Sequence, residues 1–339
     1  MRLLLAAVLA LLTAAGCTGP ASALRPFDGL WAPPCAPGAS PIELQYLGAG
    51  GILMRRGDHA IMTAPFYSNP GLVEVGLGLP IRANVERIEK LLPRGVDGVD
   101  AILVGHAHYD HLMDAVHVAE ARATHATVYG NDAALHILAS RPALWGRVQS
   151  VEDGAGDWTR PGRWYYVAEN TIRFMPLRSE HAPHFLGIQL FRGGVDAVRR
   201  KLPQTAYGWR GGQTLAFLID FLAPDGTVDL RIHYQDAATN PPAGFPPPEE
   251  PPTPVDVAVL CVASFGEVRG YPEAILARTR PRVILLGHWE NFFSPPEEHP
   301  CPVPLTNTRA FARRLEAAAP GTEWRAANPK AVLRVCPRR

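Results

Sequence analysis

The sequence predicts an α/β fold, and three observations lead there. Short apolar runs with the alternation of strands take turns with stretches spaced for helices. Several of those runs end abruptly and give way to histidine and aspartate. The composition, 47% apolar and 19% charged over 339 residues, fits a globular chain of one large domain or two average ones. A net charge of +1 implies no strong field for nucleic acid. Proline is frequent, at 34 residues, and gathers in loops.

Residues 1–17 read as a targeting segment outside the fold. Arg2 gives a positive start, Leu3 to Leu12 an apolar run, and Ala14-Ala15-Gly16 a small-residue cleavage site. The run is too short to span a bilayer as a permanent helix. Followed at once by Cys17, it resembles a bacterial lipoprotein signal, although alanine stands at position 14 where leucine is commonest. The resemblance implies cleavage before Cys17, acylation there, and a membrane-attached place in the cell envelope; several acyl chains would hold the protein where one would not. The alternative is a plain secretory peptide with a passive cysteine. Residues 18–40, rich in Pro, Ala and Gly, read as a tether whose end Trp31 and Cys35 tie to the body. Residues 41–339 form the remaining domain.

The elements follow in order. Ile42–Leu47, Gly51–Arg55 and Ala60–Thr63 read as strands, with Arg56-Gly57-Asp58-His59 as a turn. Ile81 to Leu92 has helical spacing. Val99 to Val104 is a buried strand, Asp114 to Arg122 a helix, Thr127–Tyr129 a short strand and Asp132–Ser140 a helix. Ile172–Pro176 is the next strand. Leu215–Phe221 and Leu230–Tyr234 are a hairpin about Ala223-Pro224-Asp225-Gly226. Asn240 to Pro254 is a proline-rich loop. Val255–Val262 and Arg282–Leu286 are buried strands around a helix at Tyr271–Arg280. A helix at Thr308–Ala319 and a strand near Ala331–Val335 finish the chain.

The stretch that organises these elements is His106-Ala107-His108-Tyr109-Asp110-His111. Three of the twelve histidines and one carboxylate fall within it, directly after a strand. Imidazole and carboxylate suit zinc or iron-type divalent metals, and a loop lets such neighbours turn toward one point. The spacing resembles the His-x-His-x-Asp-His signature of the metallo-β-lactamase fold. That resemblance implies a four-layer αββα sandwich and further ligands at later strand ends. His181 fits one, with His184 as its rival. Asp236 fits the bridging aspartate, with mid-strand Asp220 as a poorer candidate. His288, after the last core strand, fits the final histidine rather than a core imidazole. The aspartate common after the third strand is absent; Ala64-Pro65-Phe66-Tyr67 stands there.

By resemblance, His106, His108 and His181 hold one metal, Asp110, His111 and His288 a second, and Asp236 bridges them. Zinc suits this set first, and manganese or iron accept the same groups. The pair implies a hydrolase in which a metal-held hydroxide attacks a carbonyl carbon or a phosphorus, with Asp110 orienting it and passing a proton to the leaving group. Leu47-Gly48-Ala49-Gly50 and the residues around His181 are most similar to the branch of N-acyl-phosphatidylethanolamine phospholipase D-like and ascorbate-phosphate lactonase-like hydrolases. The substrate expected from it is a phosphodiester or ester, small or lipid-like. The alternatives are a lactonase or β-lactamase acting on a small cyclic substrate, and a non-catalytic metal-binding envelope lipoprotein.

Residues 191–212 carry Arg192, Arg199, Arg200, Lys201 and Arg210 against Asp196. They read either as a solvated helix and loop or as a lip for an anionic substrate. In the second reading Arg199 and Arg200 hold charge while Tyr207 and Trp209 face an apolar part. Of the cysteines, Cys261 lies in an apolar strand and reads as a buried thiol. A disulfide from Cys35 to Cys301 or Cys336 is expected, because both chain ends need tying down.

Overall fold

The computed structural model describes residues 20–35, 40–184, 186–250, 252–295 and 300–338; the targeting segment with Cys17 lies outside the described residues. The strands are β1 Leu30–Trp31, β2 Ile42–Gly48, β3 Gly51–Arg56, β4 His59–Thr63, β5 Val99–Leu103, β6 Thr127–Gly130, β7 Val148–Ser150, β8 Tyr165–Val167, β9 Ile172–Ser179, β10 Thr214–Leu222, β11 Val228–Tyr234, β12 Val257–Cys261, β13 Val283–Gly287, β14 Glu323–Ala326 and β15 Val332–Val335. The α-helices are α1 Leu72–Leu77, α2 Val85–Leu91, α3 Tyr109–Ala121, α4 Asp132–Leu138, α5 Glu273–Thr279 and α6 Thr308–Ala318.

Among the described residues the strands form two sheets. One has the order β1-β15-β2-β3-β4-β5-β6-β7, the other β14-β13-β12-β11-β10-β9-β8. Alternation within the strands explains how the sheets stack. Leu44, Ile52, Ile61 and Leu103 from the first sheet meet Phe217, Ile232, Val259 and Leu285 from the second in one buried layer. The opposite face of the first sheet, with Leu53, Met62, Ile102 and Val128, packs on Ile88 of α2, Leu112 of α3 and Ile137 of α4. The opposite face of the second, with Ala258, Leu260, Ile284 and Leu286, packs on Leu276 of α5 and Phe311 of α6. The result is the expected αββα sandwich.

Where the elements depart from the sequence reading, local chemistry explains it. The helix expected from Ile81 starts at Val85, because the Asn84 side chain accepts from Arg87 N and caps it there. The helix expected from Asp114 starts at Tyr109, so polar Asp110 and His111 lie in its first turn. No helix forms within 191–205: Gly193-Gly194 and Pro203 interrupt it, and the single turn present is a 3-10 turn at Ala206–Gly208. Asp220 is fully buried and pairs with Arg231 at 2.7 Å and Arg173 at 2.9 Å, which makes it structural.

The tether expected over 18–40 is corrected from Pro20 to Cys35. Leu24 is fully buried beside α6, Phe27 is buried between the sheets, and β1 pairs with β15. Cys35 is joined to Cys336 with Cα atoms 5.6 Å apart, while Cys261 is a buried free thiol. The bridge spans 301 residues of sequence, so it removes much freedom from the unfolded chain. Cys336→Ser is expected to cost about 2–4 kcal/mol. Urea midpoints with and without reductant check this: reductant should lower the wild-type midpoint and leave the variant's unchanged.

Candidate metal centre

All seven proposed ligands stand at strand ends or just beyond them, at one edge of the sandwich. β5 delivers His106 and His108, and the first turn of α3 delivers Asp110 and His111. β9 delivers His181, β11 Asp236 and β13 His288. Their donor atoms meet in three groups: His106, His108 and His181; His106, His111 and Asp236; Asp110, His111 and His288. Within each group the atoms lie within 4.8 Å of one another.

Asp236 joins the groups. Its Oδ2 is 2.5 Å from His106 Nδ1, and its Oδ1 is 3.1 Å from His111 Nδ1. Tyr234 Oη lies 2.6 Å from the same Oδ1 and 2.7 Å from Gly50 O. The approach needs glycine at 105, since a Cβ there would sit 2.2 Å from the Asp236 carboxyl. Asp110 Oδ2 lies 3.3 Å from His288 Nε2 and 3.5 Å from His111 Nε2. Its place in the first turn of α3 also sets a carboxylate at the positive end of the helix.

His288 has φ of 50°, a left-handed backbone rare for a side chain of this size. A clamp from the other sheet holds it there. Its N–H is shared by Tyr46 Oη at 2.8 Å and Ala49 O at 3.0 Å. Tyr46 Oη lies 2.5 Å from Glu290 Oε2, and Ala49 N donates to Glu290 Oε1 at 2.7 Å. Tyr46, Glu290 and Tyr234 are working parts that sequence reasoning missed. Asp114, also missed, organises the stretch after β4: it is buried and accepts from Tyr67 N, Ser68 N and Ser68 Oγ.

The two rival histidines differ in their contacts, and of the two His181 falls in a candidate ligand group. His181 Nδ1 lies 2.6 Å from Ala182 O, and a carbonyl only accepts, so Nδ1 carries the proton and Nε2 keeps a lone pair. His184 stacks on His181 at 4.7 Å, and its Nδ1 accepts from Leu190 N. It packs against His181 and bonds to the loop at Leu190. Trp209, expected at a substrate lip, is only 1% exposed: its ring belongs to the helix-side core with Phe191 and Ala206. Tyr207 is exposed and hydrogen-bonds to Gly76 O, and Arg199 and Arg200 are exposed.

The electrostatics suit a cation. Burial raises the cost of charge on Asp236 and Asp110, but nearby histidines outweigh it and hold both carboxyls well below the usual range. Burial depresses His108 and His181 well below their ordinary value, leaving neutral rings with lone pairs. Burial opposes charge on His111 too, yet Asp236 and Asp110 lift it to about 9. His106 Nε2 and His111 Nε2 are buried with no hydrogen-bond partner. Ionised carboxylates and the neutral rings of His108 and His181 are the state that divalent metal binding requires, whereas His111 must release a proton when an ion binds.

Zinc-replete protein should contain about two equivalents of divalent ion by elemental analysis, and Asp236→Ala about one or fewer, because both oxygens of that carboxylate are shared. Glu290→Gln should weaken one of the two metal affinities roughly 10–100-fold, the scale of losing an outer support. Calorimetric titration of metal-stripped protein reads this, with thermal midpoints confirming that the fold persists. Equal affinities in wild type and variant would remove the clamp from the site.

Residues 70–217 match the beta-lactamase superfamily domain, a span that contains five of the seven ligands. No curated protein matches the chain. Among solved structures it is similar to a metallo-hydrolase of the archaeon Ignicoccus hospitalis, at 14% identity and a TM-score of 0.49 over 87% of this chain and 98% of that one. A metallo-β-lactamase fold protein of Bacillus subtilis gives 13%, 0.49, 87% and 99%. A diiron β-hydroxylase of Streptomyces venezuelae gives 14%, 0.47, 89% and 55%. With two facing sheets, helices on both outer faces and candidate ligands converging at one edge, the chain is an αββα sandwich in which residues 70–217 are similar to the beta-lactamase superfamily domain.

Proposed function

We propose that this protein is a metal-dependent hydrolase of phosphodiester or ester bonds whose substrate carries an anionic group. The observation that carries the reading is the convergence of five imidazoles and two carboxylates at one sheet edge, with nitrogens that nothing else among the described residues satisfies. When bound, divalent ions supply Lewis-acid polarisation of the scissile group and acidify water.

The chain's own groups divide the remaining work. His106, His108 and His181 form one set of ligands; Asp110, His111 and His288 form the other; Asp236 ties them together. Zinc is the first choice, with manganese or iron(II) accepted by the same donors. Asp110 is the carboxylate nearer solvent, with its side chain 10% exposed against 2% for Asp236. It is therefore the one to take a proton from attacking water at a carboxylate oxygen and return it to the leaving group. Asp236, held by Tyr234 and two imidazoles, is fixed as a support. Phe191 and Phe292, edge-on to His108 and His288, line the site with apolar surface. Arg199 and Arg200, exposed on the segment that follows, supply positive charge for the substrate's anion.

The donor set accepts more than one leaving group, so a panel of phosphodiesters, phospholipids, lactones and β-lactams with zinc or manganese is the deciding assay. Turnover of a phosphodiester or ester that chelator abolishes and metal restores is expected. Asp110→Asn should lower kcat about 10²–10⁴-fold. Chelator-insensitive turnover, or none on any substrate, would overturn the reading.

We also propose that the mature chain begins at Cys17 and is lipid-anchored in a bacterial envelope, on the pattern of residues 1–17. Radiolabelled palmitate should enter the wild type and fail to enter Cys17→Ser.

A further inference from the structure

We propose that the segment from Leu186 to Arg210 docks on an anionic lipid surface and so presents the metal centre to the lipid–water interface. This deepens the hydrolase reading by naming where its substrate is met. The docking itself rests on exposed side chains alone.

The segment is tied to the candidate site at both ends. Near its start, His184 N donates to Ile188 O and Leu190 N to His184 Nδ1. Phe191 lies edge-on to His108, His184 and Tyr109, at 5.7, 5.7 and 6.1 Å. Just past its end, Gly211 O accepts from Ala107 N, inside the ligand loop. Both ends of the segment thus lie beside the candidate ligands, while its middle is tied to α4 through Arg199 N to His136 O and His136 Nδ1 to Val195 O.

Its surface is unusual in two independent ways. Of the twelve exposed large apolar side chains among the described residues, five lie on it: Leu186 at 73%, Ile188 at 55%, Leu190 at 36%, Val198 at 62% and Tyr207 at 45%. A sixth, Leu79, follows Gly78, which approaches the Tyr207 ring. Scattered apolar residues need no account, but a concentration beside a site does.

The second feature is charge. Arg192, Arg199, Arg200, Lys201 and Arg210 are all exposed, against one acid, Asp196. None of the five forms an ion pair among the described residues. Arginines elsewhere are commonly paired, as Arg122 is with Asp97 and Glu89, Arg141 with Glu120 and Arg314 with Glu273. Aliphatic side chains interleaved with unpaired arginine and lysine fit the boundary of a bilayer. The apolar groups enter the acyl margin, while the cations meet phosphate and carboxylate headgroups. An acidic protein would satisfy the charges but would leave Leu186 and Ile188 without a stated partner.

The test uses the full chain carrying Cys17→Ser, loaded with zinc, and vesicles of phosphatidylcholine with or without phosphatidylglycerol. Hydrogen exchange is followed peptide by peptide, so binding through residues 1–19 is distinguished from docking through the segment. Amides within 186–210 should be slowed by phosphatidylglycerol vesicles, and high salt should reverse the effect. Arg199→Gln with Arg200→Gln should weaken that protection several-fold, and Leu186→Ser with Ile188→Ser should do the same, both with unchanged metal content. Unchanged exchange at 186–210 overturns the proposal even where the chain sediments with vesicles. So does equal protection by pure phosphatidylcholine, or protection that appears without vesicles as protein concentration rises, which marks a second copy as the occupant. Docking without turnover refutes the hydrolase and leaves the docking. Turnover of a soluble phosphodiester without docking does the reverse.

Discussion

A buried carboxylate cannot stand alone, and Asp236 is the one on which this structure depends. At 3% exposure its charge needs positive or hydrogen-bonding partners within reach. It finds His106 and His111 on the first sheet's side and Tyr234 on its own strand. That requirement brings the ends of β5 and β11 together. It forbids a side chain at Gly105, and it fixes the first turn of α3 against the second sheet. The metal centre is where two halves of the sandwich satisfy each other's charges.

The same logic runs through the clamp on His288. β13 ends in a strained backbone, and the strain is held by groups from β2 and the turn after it. Burial raises the Glu290 carboxyl above its ordinary range, and the hydrogen bonds from Tyr46 and Ala49 work against that rise. Interior layers alone would let the sheets slide by small amounts. A ligand whose own backbone is bonded across both sheets makes their alignment and the metal geometry one property.

Much of this was legible in the chain. The candidate cluster was legible because metal-binding side chains were expected at strand ends, and strand ends are visible where apolar runs stop. What the sequence could not supply was contact across sheets. Tyr46 and Glu290 are far apart in sequence, and neither stands out by composition. His181 and His184 follow the same strand, and only their contacts with Ala182, Leu190 and the neighbouring imidazoles tell them apart. Trp209 looked like a lip residue because arginines surround it in sequence; its burial depends on helices that pack from elsewhere. The stretch before Cys35 looked like a tether because proline and alanine mask two anchoring side chains, Leu24 and Phe27.

The position of Pro20 carries a mechanical consequence. Its carbonyl accepts from Thr308 Oγ1, at the start of α6. β13, α6 and β14 form a parallel crossover, so α6 begins at the edge where the ligands lie. Whatever precedes Pro20 therefore joins the body at the edge where the candidate ligands gather. If the proposed acylation at Cys17 holds, contact between that edge and the anchoring surface becomes an intramolecular event with a high effective concentration, and individually weak side-chain contacts then suffice to set orientation.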